Sequence, residues 1–173
     1  MREGTDPIAV SERVSFEDFY LKNYQAVVGL AYALSGSRWL AEDLAQEAFL
    51  AAHRNWPRVS AYDQPGAWVR RVVANLSVSA FRRRVVEAKA IVRLGLNERH
   101  WLPELPPVDA GFWEAVRSLP RRQSQVVALH YLEDLPVAEV AAILDMAAGT
   151  VKKHLFDGRR ALARRLRIEE DEG

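Results

Sequence analysis

Apolar residues recur along this chain at spacings of three and four, and stretches that alternate apolar with polar are scarce. That period gives each segment one apolar stripe, the mark of amphipathic helices rather than strands. It predicts helices over Phe16 to Leu34, Leu40 to Arg54, Gly66 to Leu94, Gly111 to Arg117, Gln123 to Leu132, Val137 to Leu144 and Thr150 to Arg167. The pattern lapses between Gly95 and Gly111, where "GLNERHWLPELPPVDAG" holds three prolines and no clear period, as linkers do. The expectation is an all-α chain of two small helical domains, 1–94 and 111–173, loosely joined by a proline-containing linker at 95–110.

The C-terminal part has the spacing of a helix-turn-helix in "VAEVAAILDMAAGTVKKHLF". Val137, Val140, Ala141 and Leu144 give the first helix a buried stripe, and Pro136 suits its first turn, where a missing N–H costs nothing. Asp145 falls where the chain must turn sharply, and Asp tolerates the left-handed region better than most residues. Val151 and Leu155 would pack the second helix back on the first, with Leu162 and Leu166 continuing the stripe. Lys152, Lys153, Phe156 and Arg159 then lie on the opposite surface, where such a helix presents side chains to base edges and phosphates. Ala147 stands at the N-cap without a capping oxygen, at a cost of about 1 kcal/mol. Gly158 inside the helix costs about 1 kcal/mol against Ala. An ordinary basic hairpin, or a helix lying on a membrane surface, has the same pattern.

The N-terminal part holds "WLAEDLAQEAFLAAHRNW", whose Leu40, Leu44, Ala45, Ala48 and Ala52 face a core while Asp43, Gln46, Glu47, Leu50 and Arg54 line the other side. Leu50 among charges is either incidental or the apolar centre of a partner site. In "RVSAYDQPGAWVRRVVANLSVSAFRRR", Val59 to Gln64 reads as a loop and Pro65 opens a helix. Val69, Val72, Val73, Leu76 and Ala80 make its buried face. Trp68, Arg71, Asn75, Val78 and Arg82 share much of the other, where an aromatic ring, an amide and cations suit unpaired nucleic acid. The neighbouring loop offers a place for a base turned out of its stack. Trp68 taken alone fits a core residue equally well.

Charge sharpens this picture. The 173 residues sum to only +1, yet Arg70, Arg71, Arg82, Arg83, Arg84, Lys89 and Arg93 form one basic block. Lys152, Lys153, Arg159, Arg160, Arg164, Arg165 and Arg167 form another. Acids gather at Glu42, Asp43 and Glu47 and in the tail from Glu169 to Glu172. Two separate basic blocks suggest two contacts with a polyanion, or two solvated faces. Between Thr150 and Arg167 the one acid is Asp157, which repels phosphate unless Arg160, Arg164 or a partner pairs with it. With no cysteine, disulfides and thiolate chemistry are excluded, which fits a reducing cytosol. The charged start "MREGTDPIAV" is no secretion signal, and no apolar run approaches the roughly 20 residues of a membrane span. A soluble, cytoplasmic protein is expected. His53, His100, His130 and His154 form no metal-spaced pair, and no phosphate-cradling loop or nucleophile–base set appears.

At this point the chain resembles the extracytoplasmic-function sigma factors of bacterial RNA polymerase, actinobacterial members among them. "AEDLAQEAFLAAHRNW" resembles their polymerase-binding segment, "PGAWVRRVVANLSVSAFRRR" the segment that melts and captures the −10 element, and "LPRRQSQVVALHYLEDLPVAEVAAILDMAAGTVKKHLFDGRRAL" the domain that reads the −35 element. The resemblance runs from about Phe16 to Leu166 in family order.

It implies that Asp43, Gln46, Glu47, Leu50 and Arg54 face core polymerase. The loop with Tyr62, together with Trp68 and Asn75, would hold a base of the opened strand, with Arg71, Arg82 and Arg83 on its backbone. Thr150, Lys152, Lys153, Phe156 and Arg159 would meet the −35 element. The implied partners are core RNA polymerase, promoter DNA as duplex and melted strand, and an anti-sigma factor, for which Trp101, Leu102 and Leu105 are candidate anchors. No cofactor, metal, membrane insertion or catalytic group is implied. Departures from the family pattern are Ala74 where Arg is common, Asp145 for Gly, Ala147 for Ser, and Asp157 for a basic residue. A stand-alone helix-turn-helix regulator that never joins polymerase is the alternative.

Overall fold

A computed structural model describes residues 15–93 and 110–171. Trp101, Leu102 and Leu105 of the expected linker, and Glu172 of the acidic tail, lie outside the described residues. All regular structure among the described residues is helical, in eight helices.

Helix α1 (Phe16–Ser35) starts where the Ser15 hydroxyl accepts the Asp18 N–H at 3.1 Å and donates to the Asp18 carboxylate at 2.7 Å, satisfying one orphan donor of the first turn. It ends at Gly36, whose φ of 72° is left-handed. Ser37 caps α2 (Arg38–Arg54), and a single turn, α3 (Trp56–Val59), precedes the loop to α4 (Pro65–Arg93). Sequence periodicity misses α3 because four residues carry no period. The core between α1, α2 and α4 is built from Phe19, Val27, Leu30, Leu34, Leu44, Phe49, Val69 and Val73. Four buried alanines on α2 (Ala41, Ala45, Ala48 and Ala52) keep that face small, so its neighbours approach closely.

The second half comprises α5 (Ala110–Arg117), α6 (Arg121–Tyr131), α7 (Val137–Leu144) and α8 (Ala148–Asp171). Its core joins Val116, Leu119, Val126, Val127, Leu129, Val140, Ile143, Leu144, Val151, Leu155 and Leu162. Pro136 stands one residue before α7 rather than within its first turn. Asp145 adopts φ 55° and ψ 57° as expected, and the N–H groups of Asp145 and Met146 both return to the Ala141 carbonyl. Asp134 is a second left-handed residue, at φ 52°. Gly158 is buried against α6, where a Cβ would come within 3.0 Å of Val127 Cγ2.

Helices of the two halves lie in contact. α1 lies against α5 and α6, and α4 against α6 and α7.

Candidate nucleic-acid interface

The helix-turn-helix presents the expected residues outward. Val151 and Leu155 are buried in the half's core, so the remaining faces of α8 carry Thr150, Lys152, Lys153, Phe156 and Arg159, all exposed. Phe156 is 64% exposed, and burying so large a ring in the parent fold is not what holds it there. Ala147 stands at the N-cap, and its carbonyl accepts the Thr150 and Val151 N–H groups at 2.9 and 3.1 Å. Asp157 finds its partner within the helix, where Lys153 Nζ donates to it at 2.7 Å. That hydrogen bond holds the Asp157 carboxyl below the usual carboxylate range, against an opposing desolvation. The pair therefore neutralises one of the cations assigned to DNA. Arg159 donates to the Tyr131 hydroxyl, and its guanidinium carbon lies 5.5 Å from the centre of that ring. Tyr131 thus aims Arg159, a role that sequence spacing does not reveal because the two residues sit on different helices.

The strip expected along α4 is divided by the packing of the two halves. Tyr62 is exposed in its loop, and Arg82 and Arg83 are exposed beyond the contact. Trp68 is half-buried against the core, and Val78 is buried rather than on the outer face. Arg71 and Asn75 point into the second half. Arg71 donates to the carbonyls of Ile143 and Ala142, the latter at 2.9 Å, and so satisfies acceptors left open at the end of α7. Asn75 Oδ1 accepts from Arg121 Nη2 at 2.8 Å and Gln125 Nε2 at 3.0 Å, and Gln125 Nε2 also donates to the Ala74 carbonyl at 3.2 Å.

Two further groups extend this contact. Arg70 pairs with Glu133, whose side chain is 7% exposed, and reaches Asn23 Oδ1 at 3.3 Å. Arg117 Nη1 donates to the Ala33 carbonyl at 3.1 Å. Gly36 leaves the room for it, since a Cβ there would stand 2.9 Å from Arg117 Nε. Burial lowers the Arg117 guanidinium from its ordinary value, with Glu114 and Tyr32 acting in the opposite direction. From sequence Arg70 was read only as part of a basic block, and Arg117, Gln125 and Glu133 were not singled out. A polar residue at a buried helical position, such as Gln125, is the one signal that could have found them.

A third surface lies on α2. Asp43, Gln46, Glu47, Leu50 and Arg54 are all exposed on one side, Leu50 at 54%. Leu50 edges an apolar cleft of about 400 Å³ lined by Phe16, Tyr20, Gln46, Phe49 and His53. The cleft is walled by aromatic rings, with Phe16 edge-on to His53 at 4.8 Å and Tyr20 edge-on to Phe49 at 4.9 Å. Among the described residues no cluster of His, Asp or Glu could hold a metal ion, and no helix is long and apolar enough to cross a membrane.

Comparison with known proteins follows the same division. Residues 19–85 match the family "Sigma-70 region 2" and residues 110–162 the family "Sigma-70, region 4". The RNA polymerase sigma-E factor of Streptomyces coelicolor is 31% identical over 155 residues, covering 90% of this chain and 86% of that protein. The ECF RNA polymerase sigma factor SigW of Bacillus subtilis is 29% identical over 152 residues, covering 80% of this chain and 81% of SigW. In fold, the chain is similar to the sigma factor RpoE as co-crystallised with the anti-sigma factor NepR from Bartonella quintana. That match has a TM-score of 0.66 at 22% identity, over 88% of this chain and 97% of that one. Helical architecture, region order and sequence identity thus agree that the chain belongs to the extracytoplasmic-function sigma factors of the sigma-70 family.

Proposed function

We propose that this chain directs core RNA polymerase to promoters through three surfaces and helps open the DNA there. Membership of the family assigns it to transcription initiation; how each surface acts is our reading. The exposed row Asp43, Gln46, Glu47, Leu50 and Arg54 on α2, with its adjoining apolar cleft, seats polymerase. An apolar centre inside a polar rim is the anatomy of a protein–protein contact. Residues 111–173 read the −35 major groove through Thr150, Lys152, Lys153, Phe156 and Arg159. Residues 1–94 capture the melted −10 strand, with Asn75 and the Tyr62 loop holding a base, Trp68 beside them, and Arg71, Arg82 and Arg83 on phosphates.

Opening needs no catalytic group in the chain. A protein that binds the melted strand better than the duplex shifts the equilibrium toward melting by that difference in affinity. Polymerase carries out the phosphoryl transfer. The three contacts reinforce one another because each raises the effective concentration for the next. The near-neutral net charge limits nonspecific coating of DNA by the free chain.

The observation that carries this reading is the exposed α8 face, set opposite a fully buried one, within a match to both sigma regions in order. The experiment is in vitro transcription with core polymerase and a promoter library. Addition of the chain is expected to give RNA from discrete starts that share −10 and −35 elements. Failure to associate with polymerase, or association without defined starts, overturns the proposal. Binding to duplex DNA alone as a dimer on a two-fold site would instead favour a stand-alone regulator.

A further inference from the structure

Resting on that reading, we propose that Tyr131 is a positioning residue for duplex recognition: it holds Arg159 by its Nε so that the two terminal amino groups of the guanidinium meet a phosphate at the wall of the major groove.

The contact is built across two helices. Gly158 lies against Val127 of α6, with no side chain of its own to keep α8 away. Tyr131 stands one turn beyond Val127 on the same face of α6, and Arg159 directly follows Gly158. The close approach at Gly158 thus brings the two side chains within reach. Arg159 Nε donates to the Tyr131 hydroxyl, and the guanidinium carbon lies 5.5 Å from the ring centre. The ring is itself held in place. His130 packs edge-on to it at 4.9 Å, and His130 Nδ1 donates to the Leu135 carbonyl at 2.8 Å.

Arg159 is tied to a neutral partner. Lys153, on the same outer face, is tied to a carboxylate that cancels its charge. Tyr131 fixes Arg159 and leaves its charge intact. Among the described residues, Nη1 and Nη2 of Arg159 make no hydrogen bond or ion pair. Those two groups form the fork that pairs with two oxygens of a phosphate. Tyr131 is 47% exposed and Arg159 is exposed too, so the ring serves an accessible cation rather than the core.

Position favours a phosphate over a base edge. A recognition helix enters the groove by its N-terminal end. Arg159 lies nine residues after Thr150, about 13 Å along the axis. The groove is only about 8.5 Å deep, so Arg159 stands at its wall. A phosphate contact there sets the register of the helix while carrying no sequence information itself.

The test uses the full chain with Tyr131→Phe, Tyr131→Leu, Arg159→Lys and the two double variants. Urea unfolding checks that each is folded. By NMR, the Arg159 Nε–H of the free parent should give a slowly exchanging signal that is lost in Tyr131→Phe. Binding is then measured at low salt to two duplexes of equal length, one carrying a −35 element recovered by promoter-library transcription, the other random. Tyr131→Phe should weaken both about threefold, and Tyr131→Leu both about tenfold. Arg159→Lys keeps the charge but not the fork. It should match Tyr131→Leu, and on its background neither Tyr131 change should cost anything further. Tyr131 variants that bind as the parent does, or losses that add to that of Arg159→Lys, overturn the positioning role. A loss confined to the −35 duplex overturns the phosphate contact in favour of a base edge. The random duplex tests the positioning role even where no −35 element is recovered, and start-specific transcription decides the proposed function separately.

Discussion

Replacing Gly158 by Ala sets two well-defined effects against each other. In a helix interior Ala is favoured over Gly by about 1 kcal/mol, so sequence reasoning alone has Gly158→Ala stabilising. The structure reverses the sign. A Cβ at this position sits 3.0 Å from Val127 Cγ2, with Leu119 Cδ1 at 3.7 Å and Gln123 Cβ at 3.8 Å. Carbon atoms prefer about 3.5–4.0 Å, so the last two contacts are comfortable and the first is not. Val127 cannot swing away cheaply. It is fully buried in the core of its half and β-branched, with one strongly preferred rotamer in a helix. Forcing a methyl into such a site costs about 1–3 kcal/mol.

The net expectation is a loss of about 1 kcal/mol, or a melting point lower by about 2–4 °C. Urea unfolding followed by circular dichroism at several wavelengths measures it and checks that the transition is single. Placed on a Val127→Ala background, the same change should become favourable, giving a coupling of about 1–2 kcal/mol between the two sites. If Gly158→Ala alone stabilises the protein by its full propensity gain, the close approach of α6 and α8 is wrong.

Asp145→Gly should raise stability by about 0.5 kcal/mol in the same urea assay, because φ of 55° strains any residue with a Cβ; a loss would mean that the Asp side chain secures the turn. Leu50→Asp should leave unfolding within about 0.5 kcal/mol, since the side chain is already half in water. Its co-elution with core polymerase should nonetheless fall at least about tenfold, about 1.4 kcal/mol, and unchanged co-elution removes Leu50 from that surface. Asp157 should titrate below its ordinary value of 3.8 by carbon-detected NMR, owing chiefly to the Lys153 hydrogen bond. Because the folded value is the depressed one, the pair's contribution is complete above the ordinary carboxylate range and disappears as pH falls through the folded value; Lys153→Ala should bring the titration back up. Asp157→Asn frees Lys153 for phosphate, and should steepen the dependence of duplex binding on log salt by about 0.9.

Local chemistry made much of the fold legible. The helix-turn-helix could be read from Val140, Leu144, Val151 and Leu155, because each points into the same small core and the 3.6-residue period survives intact. The turn at Asp145 was legible because so few residues accept a positive φ. Gly158 was misread as a flaw, since what fills the space beside it is Val127, thirty-one positions earlier and invisible to any local window. The same limit explains α4. Val78 looked outward on a helical wheel, and Arg71 and Asn75 looked free. Only long-range packing decides that the second half covers them. Charge patterning found both basic blocks but could not show that Lys153 is held by Asp157 or that Tyr131 aims Arg159.

The seam between the halves is rich in groups that hydrogen-bond or pair across it. Had the halves met through leucines, separation would expose apolar surface at about 25 cal/mol per Å² with nothing to replace what was lost. Here the hydrogen-bonding groups are an amide, guanidinium ions, a carboxylate and helix-end carbonyls, each able to find partners in water, while buried apolar residues of both halves run together in one core. A hydrogen bond exchanged for an equivalent one changes stability by only about 1 kcal/mol, and a buried ion pair gives back much of its attraction as desolvation. The contact aligns many polar partners at once, Arg70, Arg71, Asn75, Arg117, Arg121, Gln125 and Glu133 among them. Under the proposed function Arg71 would exchange two carbonyl oxygens for phosphate oxygens, and Asn75 two donors for the edge of a base. If the proposed function holds, Arg71 and Asn75 would serve both contacts, so a substitution at either position should weaken both.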